Sequence, residues 1–243
     1  MNGSYIQIVR SVIEKIEKTQ AEVIDEVANL CVDSIKKKHM LYFFGTGHSH
    51  MICEEPFYRA GGLVPVHPIL EPALMLHEGA YKSTLFERLD GIGKVLLDVN
   101  GAEKGDVLFL ISNSGRNGSV IDMALEARNK NITTVAITSL QHSKACTSRH
   151  KSGKKLYELT DYIIDNCGVP GDAAVEIKDF DQKVAPTSSI ACILIVNTIV
   201  SNVVERLIAQ KIIPPVFMSA NTDEGDCFNK KLLQEYRARI KPL

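Results

Sequence analysis

The sequence predicts an α/β fold, a parallel β-sheet covered by helices on both faces. Short apolar runs of strand length, such as Val107–Ile111, alternate with segments whose apolar residues recur at helical spacing. Strands separated by helices are joined by crossovers, which make neighbouring strands parallel and bury both sheet faces. The 243 residues are 45% hydrophobic and 23% charged, enough apolar material for a substantial core. No repeat or low-complexity tract stands out, and no Gly/Ser/Pro-rich linker divides the chain. It therefore reads as one domain over 1–243: a helical arm at 1–38, an α/β core at 39–210 and a C-terminal arm at 211–243.

The elements follow in order. Val9, Val12, Ile13, Ile16, Val23, Ile24, Val27, Leu30 and Ile35 mark one or two amphipathic helices from Ser4 to Lys38. The lysines at 36–38 suit a helix C-terminus, where cations meet the negative end of the dipole. Met40–Phe44 is a first strand entering the glycine turn "GTGHS". "MICEEPFYRAGG" continues as a helix only if Pro56 sits in its first turn or kinks it. "LVPVHP" gives a second strand and "VLFLI" a third. "SVIDMALEARNKN" is a helix with Ile121, Ala124 and Leu125 on one face. "ITTVAITS" and "YELTDYIIDN" give the fourth and fifth strands. A long apolar helix opens at Thr187, Pro214–Pro215 break the chain, and "CFNKKLLQEYRARI" is a last helix.

Composition narrows the partners. A net charge of −1 argues against a broad electrostatic grip on nucleic acid or an anionic membrane. Six cysteines without CxxC pairing read as reduced thiols of a cytoplasmic protein. The N-terminus lacks the apolar core and cleavage site of a signal peptide. Val184–Val204 has no charge and reaches membrane-spanning length. It also holds Pro186, Thr187, Ser188, Ser189, Asn197, Thr198, Ser201 and Asn202, so it reads as a buried helix.

In an open parallel sheet, ligands bind beyond the carboxyl ends of the strands. Three polar stretches fall there: "GTGHS" (45–49), "SNSGRNGS" (112–119) and "APTSS" (185–189). Hydroxyls, backbone N–H groups at a helix N-terminus and glycines that let the backbone approach are what a phosphate needs. Gly47, His48 and Ser49 from the first loop, Ser112, Asn113, Ser114 and Asn117 from the second, and Thr187, Ser188 and Ser189 from the third are the candidate phosphate and substrate ligands. Arg116 is a cation at the rim. A helix cap plus a turn is the competing explanation of any one loop. GxGxxG and GK[ST] are both absent.

Together the three loops resemble the SIS (sugar isomerase) domain family. "GTGHS" is similar to its G-x-G-x-S loop, "ISNSGRN" to its S-x-S-G-x-[ST] loop with Asn117 in place of the hydroxyl, and "APTSS" to the opening of its last core helix. The resemblance spans about Met40 to Leu207. It implies a five-stranded parallel sheet in a three-layer α/β/α sandwich with flavodoxin-like winding, a homodimer or homotetramer, and a phosphorylated sugar as partner; no cofactor is expected, nor, from the spacings below, a metal. "VHPILEPALMLHEG" and "KVAPTSS" are similar to arabinose-5-phosphate isomerases. The chain as a whole looks most like single-domain SIS proteins labelled as phosphoheptose isomerases.

That likeness implies a sugar-phosphate aldose–ketose isomerase acting through an enediol, the alternative being a non-catalytic phosphosugar sensor. Family regulators usually carry a helix-turn-helix domain, and only about 38 residues, not strongly basic, precede the first strand here. Isomerisation needs a base to move a proton between neighbouring carbons and a group to open the ring. Glu78 and His77 are the first candidates, His77 opening the ring, then Glu55, with Glu54 and Glu71 behind. The histidine and glutamate four apart in phosphoheptose isomerases are not reproduced at Glu55–Arg59, and "SAN" (219–221) stands where arabinose-5-phosphate isomerases carry a histidine. His48 and His50 flank Ser49 and lie close to any bound phosphate; His67 follows a strand. Histidines and carboxylates suit zinc, but HxxxH and HExxH spacings are absent. Lys183 is placed to reach the cleft, whereas Glu176, Asp179 and Asp181 read as a solvated loop and "NTDEGD" as a polar turn.

Overall fold

The computed structural model describes residues 4–243. Helix α1 (Tyr5–Lys36) is one continuous helix, started by Ser4, whose backbone N–H donates to the Gln7 side chain at 3.0 Å. Strands β1 (Leu41–Gly45), β2 (Val66–Pro68), β3 (Val107–Ile111), β4 (Thr133–Thr138) and β5 (Tyr162–Asp165) form one sheet in the order β2-β1-β3-β4-β5, every pair parallel. Five parallel strands between helical layers are the architecture expected of the sequence.

The alternation of side chains along each strand sorts the two cores. Leu41, Phe43, Val107, Phe109, Val135 and Ile137 face α1, α2 (His50–Glu54) and α7 (Ser188–Ala209). Phe43 and Phe109 stack there at 4.5 Å. Tyr42, Phe44, Leu108, Leu110 and Ala136 face α4 (Ile92–Asn100) and α5 (Gly118–Asn129). Helix α7 is long and apolar enough to cross a membrane by length and composition. Here it packs along α1, with Ile195, Val196, Ile199, Val203 and Leu207 buried in the first core.

Three readings of the sequence are corrected. Helix α2 stops at Glu54 instead of running through "EPFYRAGG", because a proline two residues on has no N–H to extend it. The acidic stretch at 176–181 is not a loop: β6 (Ala173–Ile177) and β7 (Phe180–Pro186) make an antiparallel hairpin, and Lys183 pairs with Glu176 at 2.9 Å across it. "NTDEGD" is not a turn but the start of α8 (Asp223–Tyr236); Thr222 caps it by accepting from Gly225 N at 3.1 Å, and three carboxylates lie in its first turn. Helices α3 (Ala80–Phe86), α4 and α6 (Leu140–Lys144) add to the predicted set. α4 packs so closely on α5 that a Cβ at Gly93 would lie 1.9 Å from the Ser119 carbonyl.

Candidate functional site

β1 has β2 on one side and β3 on the other, so the connections leaving β1 and β3 diverge to opposite directions of the sheet. That switch point opens a crevice at the strands' carboxyl ends. The first loop leaves β1 there and winds into a 3-10 turn at Gly47–Ser49; the second leaves β3 and enters α5. The start of α7 joins them. His48, Ser49, Ile52, Asn113, Ser188, Ser189 and Cys192 line one narrow cleft. The three stretches singled out in the sequence thus meet.

Not every hydroxyl is equivalent. Ser112 Oγ accepts from Gly115 N at 3.1 Å and shapes its own loop. Gly115 is at φ +56°, and a Cβ there would sit 3.0 Å from Leu156 Cβ, so the turn needs glycine. Asn113 is held from two sides: its carbonyl accepts from Ser139 N at 3.2 Å, and its side-chain oxygen from Asn166 Nδ2 at 2.9 Å. Ser188 donates to Asp172, whose carboxylate also accepts from Thr187 N at 3.2 Å and Ser188 N at 3.0 Å. Asp172 therefore caps α7 as an anion at a helix N-terminus. Thr187 Oγ1, in a residue 2% exposed, has no hydrogen-bond partner. Asn117 heads α5, and its side-chain oxygen accepts from Arg149 Nη1 at 3.0 Å.

The acid–base candidates separate. Glu55 pairs with Arg59 and accepts from Asn197 Nδ2 at 3.0 Å, on the α7 side. Glu78 is half-exposed, 4.0 Å from Lys82. Glu71 caps the short 3-10 turn at Pro72–Leu74. The His77 ring lies 6.3 Å from that of His50, the first residue of α2. His50 is buried, its Nε2 is 3.8 Å from Glu54 Oε1 and lacks a hydrogen bond, and burial holds its pKa below the usual value. His67 is fully buried against Tyr42 and ties Asn100 Oδ1 (3.0 Å) to the Arg239 carbonyl (3.1 Å), clamping the C-terminal arm.

Two features escaped the sequence reading. Glu87, just after α3, accepts from Thr46 Oγ1 at 2.7 Å through its carboxylate, and its carbonyl accepts from Ser119 N at 3.1 Å. It is the one carboxylate hydrogen-bonded to the first loop among the described residues. Second, Asp90, Asp122 and His150 place ligand-type atoms within 4.8 Å of one another. His150 Nδ1 accepts from Ser152 N at 3.1 Å, so the ring proton sits on Nε2, which donates to Asp122 at 3.1 Å. Asp122 also accepts from Gly91 N. The trio is a hydrogen-bonded brace between the α3–α4 turn, α5 and the 150 loop, not a set of free metal ligands.

The SIS domain family model matches residues 4–139, more than half of the chain. The chain belongs to the SIS domain family. A UPF0309 protein of Shouchella clausii (strain KSM-K16) is 42% identical over 237 residues, 97% of this chain and 96% of that protein. Among solved structures, the phosphoheptose isomerase of Neisseria gonorrhoeae superposes with a TM-score of 0.55 at 16% identity, covering 83% of this chain and 95% of that one. A Methanococcus jannaschii protein, for which its structure inferred 3-hexulose-6-phosphate isomerase function, gives 0.51 at 18% identity over 83% and 90%. At such identities these two speak to the fold of the SIS domain alone.

Proposed function

We propose that this SIS protein binds the phosphate of a phosphorylated sugar in the β1/β3 crevice and interconverts its aldose and ketose forms through an enediol. The observation that supports this best is the convergence of the first loop, the β3 loop and the α7 start on one cleft. Phosphate is the ligand that short hydroxyl donors and a helix N-terminus suit. Ser49, Ser114, Thr187 and Ser189 are the donors in this reading, since Ser112 and Ser188 are engaged by Gly115 and Asp172.

The proton-transfer role moves from Glu78 and Glu55 to Glu87. Glu55 is tied to Arg59 and Asn197, and Glu78 stands in solvent beside Lys82. Glu87 is held to the first loop by Thr46, and in this reading its carboxylate moves the proton between C1 and C2 of a sugar whose phosphate is anchored in the cleft. In this reading His77, whose ring lies 6.3 Å from that of His50, assists ring opening.

The experiment has two stages. A thermal-shift panel of pentose, hexose, amino-hexose and heptose phosphates against inorganic phosphate identifies a stabilising sugar. Deuterium incorporation at C2 of that sugar is then followed by NMR for the wild type and Glu87→Gln. Exchange that Glu87→Gln abolishes while binding persists supports the isomerase. Binding without exchange in the wild type replaces it with a phosphosugar sensor, and absence of any shift overturns both.

A further inference from the structure

Behind the cleft, on the α5 side of the sheet's carboxyl edge, three arginines border the start of α5, where a Cβ at Gly118 would lie 3.0 Å from the Arg88 carbonyl. Arg116 lies in the β3 loop. Arg149 donates from its backbone N–H to the Arg116 carbonyl at 2.8 Å and from Nη1 to Asn117 at 3.0 Å. Arg88 follows Glu87, whose carbonyl holds Ser119 N at 3.1 Å in the first turn of α5. The three feel one another: Arg149 is held below the usual guanidinium value by desolvation first, then by the charges of Arg116 and Arg88.

Such a gathering is repulsive by itself, and little on the protein offsets it. Among the described residues none of the three arginines has a carboxylate within 4.0 Å. Glu87 is the nearby counter-charge, and its carboxylate is occupied by Thr46. Arg116 reaches only the Thr147 hydroxyl, at 3.4 Å, and its buried Nε has no partner. Three cations with idle donors at the positive end of the 12-residue helix α5 are suited to an anion.

The hydroxyl-lined cleft lies on the other side of the same loop. Its walls are Ile52, Ser188 and Cys192, from α2 and α7, whereas the arginines flank α5 and the end of α3. Residues 112–117 run between the two. We infer that Arg88, Arg116 and Arg149 form a second anion subsite, and that the substrate is a phosphosugar carrying a second negative group, either a second phosphate or a carboxylate. This rests on the phosphosugar reading above and names its substrate class. One anion would occupy the hydroxyl cradle and the other the guanidinium cluster, with the carbon chain crossing the β1/β3 crevice past Glu87.

The test is calorimetric titration with fructose 6-phosphate, fructose 1,6-bisphosphate and 6-phosphogluconate at about 0.15 M salt. The variants are Arg149→Gln and Arg88→Gln; the second is exposed and makes no side-chain hydrogen bond among the described residues, so it tests the cluster without disturbing the Asn117 contact. The wild type is expected to bind one of the doubly anionic ligands at least tenfold tighter than fructose 6-phosphate, and which of them separates bisphosphate from sugar acid. Each variant should close most of that gap while leaving fructose 6-phosphate within twofold. Equal affinity for all three ligands overturns the second subsite and leaves the phosphosugar reading intact. Equal weakening of all three by the variants also overturns it, by placing the arginines in the single phosphate cradle. Failure of every ligand to bind overturns a subsite for these double anions, and the phosphosugar reading itself falls only if the thermal-shift panel also gives no shift.

Discussion

Asp172 offers the sharpest test of how the α7 end of the cleft is built. Its carboxylate accepts from Thr187 N, Ser188 N and Ser188 Oγ. A carboxylate hydrogen bond contributes about 1.5–3 kcal/mol, and the partial exposure of this group argues for the lower end. A negative charge in the first turn of a helix adds about 0.3–1 kcal/mol. Asp172→Ala should therefore cost about 2–3 kcal/mol in urea unfolding, which for a chain of this size is about 4–12 °C in Tm. Asp172→Asn keeps an acceptor for the backbone N–H groups and removes only the charge, so its cost should stay near 1 kcal/mol or less. In ligand binding the two variants should behave alike, because both remove the charge. A phosphate seated at the start of α7 would share the helix's positive end with this carboxylate and be repelled by it. Removing the charge should tighten inorganic phosphate about fivefold, a gain of about 1 kcal/mol that fades as salt is raised. Titration of both variants with phosphate at about 20 mM and 300 mM salt reads this out. If Asp172→Asn binds phosphate no tighter than the wild type at low salt, α7 does not present its N-terminus to the ligand, and Thr187 and Ser189 leave the candidate cradle.

The remaining expectations are brief. Ser114→Ala should weaken phosphosugar binding roughly tenfold, the loss of one charge-assisted hydrogen bond, with little change in Tm; unchanged affinity in a titration would remove Ser114 from the cradle. Gly93→Ala drives a Cβ to 1.9 Å from the Ser119 carbonyl and 2.6 Å from Met123 N, contacts with backbone that cannot yield, so α4 and α5 should separate and the urea midpoint should fall by the equivalent of about 3 kcal/mol or more. Burial lowers the pKa of His50, His67 and His142. The unfolded chain then takes up protons first as pH falls, so stability should be flat above about pH 7 and decline from about pH 6.5 downward. A Tm series from pH 8 to 5.5 measures this, and His67→Gln should flatten part of the slope.

How much of this was legible in the sequence follows from which forces act locally. β1, β3 and β4 were placed to within a few residues because strands buried on both faces read as largely apolar runs, and glycines or small polar residues end them. The meeting of the first two loops was likewise readable, since every parallel strand delivers its following loop to the same edge; the third follows the hairpin strand β7 and joins them at the start of α7. Helix α3 was not readable: Tyr81, Leu85 and Phe86 are exposed, so apolar residues do not mark a buried face. The hairpin failed for a related reason. Residues Phe180–Lys183 of β7 are exposed on both faces, and its polar composition imitates a loop. The site residues that were missed are tertiary in origin. Glu87 meets Thr46 across 41 positions and Arg149 meets Asn117 across 32, pairings that no spacing rule encodes.

The same logic gives a last expectation, for Lys155. Its side chain is buried, the residue being only 5% exposed, and among the described residues no carboxylate lies within 4.0 Å. The ammonium donates to the Ser143 carbonyl and lies 3.3 Å from Cys146 Sγ; that sulfur is in turn 3.9 Å from the Ser114 carbonyl. A buried charge without a counter-charge costs the apo protein free energy. The proposed ligand would offset it if the phosphate seats on the Ser114–Gly115 turn, whose Gly115 carbonyl accepts from Leu156 N at 2.9 Å. Lys155→Met keeps the length and apolar stem of the side chain and deletes the charge. If the ammonium serves the ligand's phosphate, this variant should melt at or above the wild-type temperature and bind phosphosugar about tenfold more weakly, a loss of about 1.4 kcal/mol. If instead it serves only to satisfy the end of α6, the variant should melt several degrees lower and bind as before. Melting curves with and without ligand separate the two, because the first account predicts a ligand-dependent loss and the second a ligand-independent one.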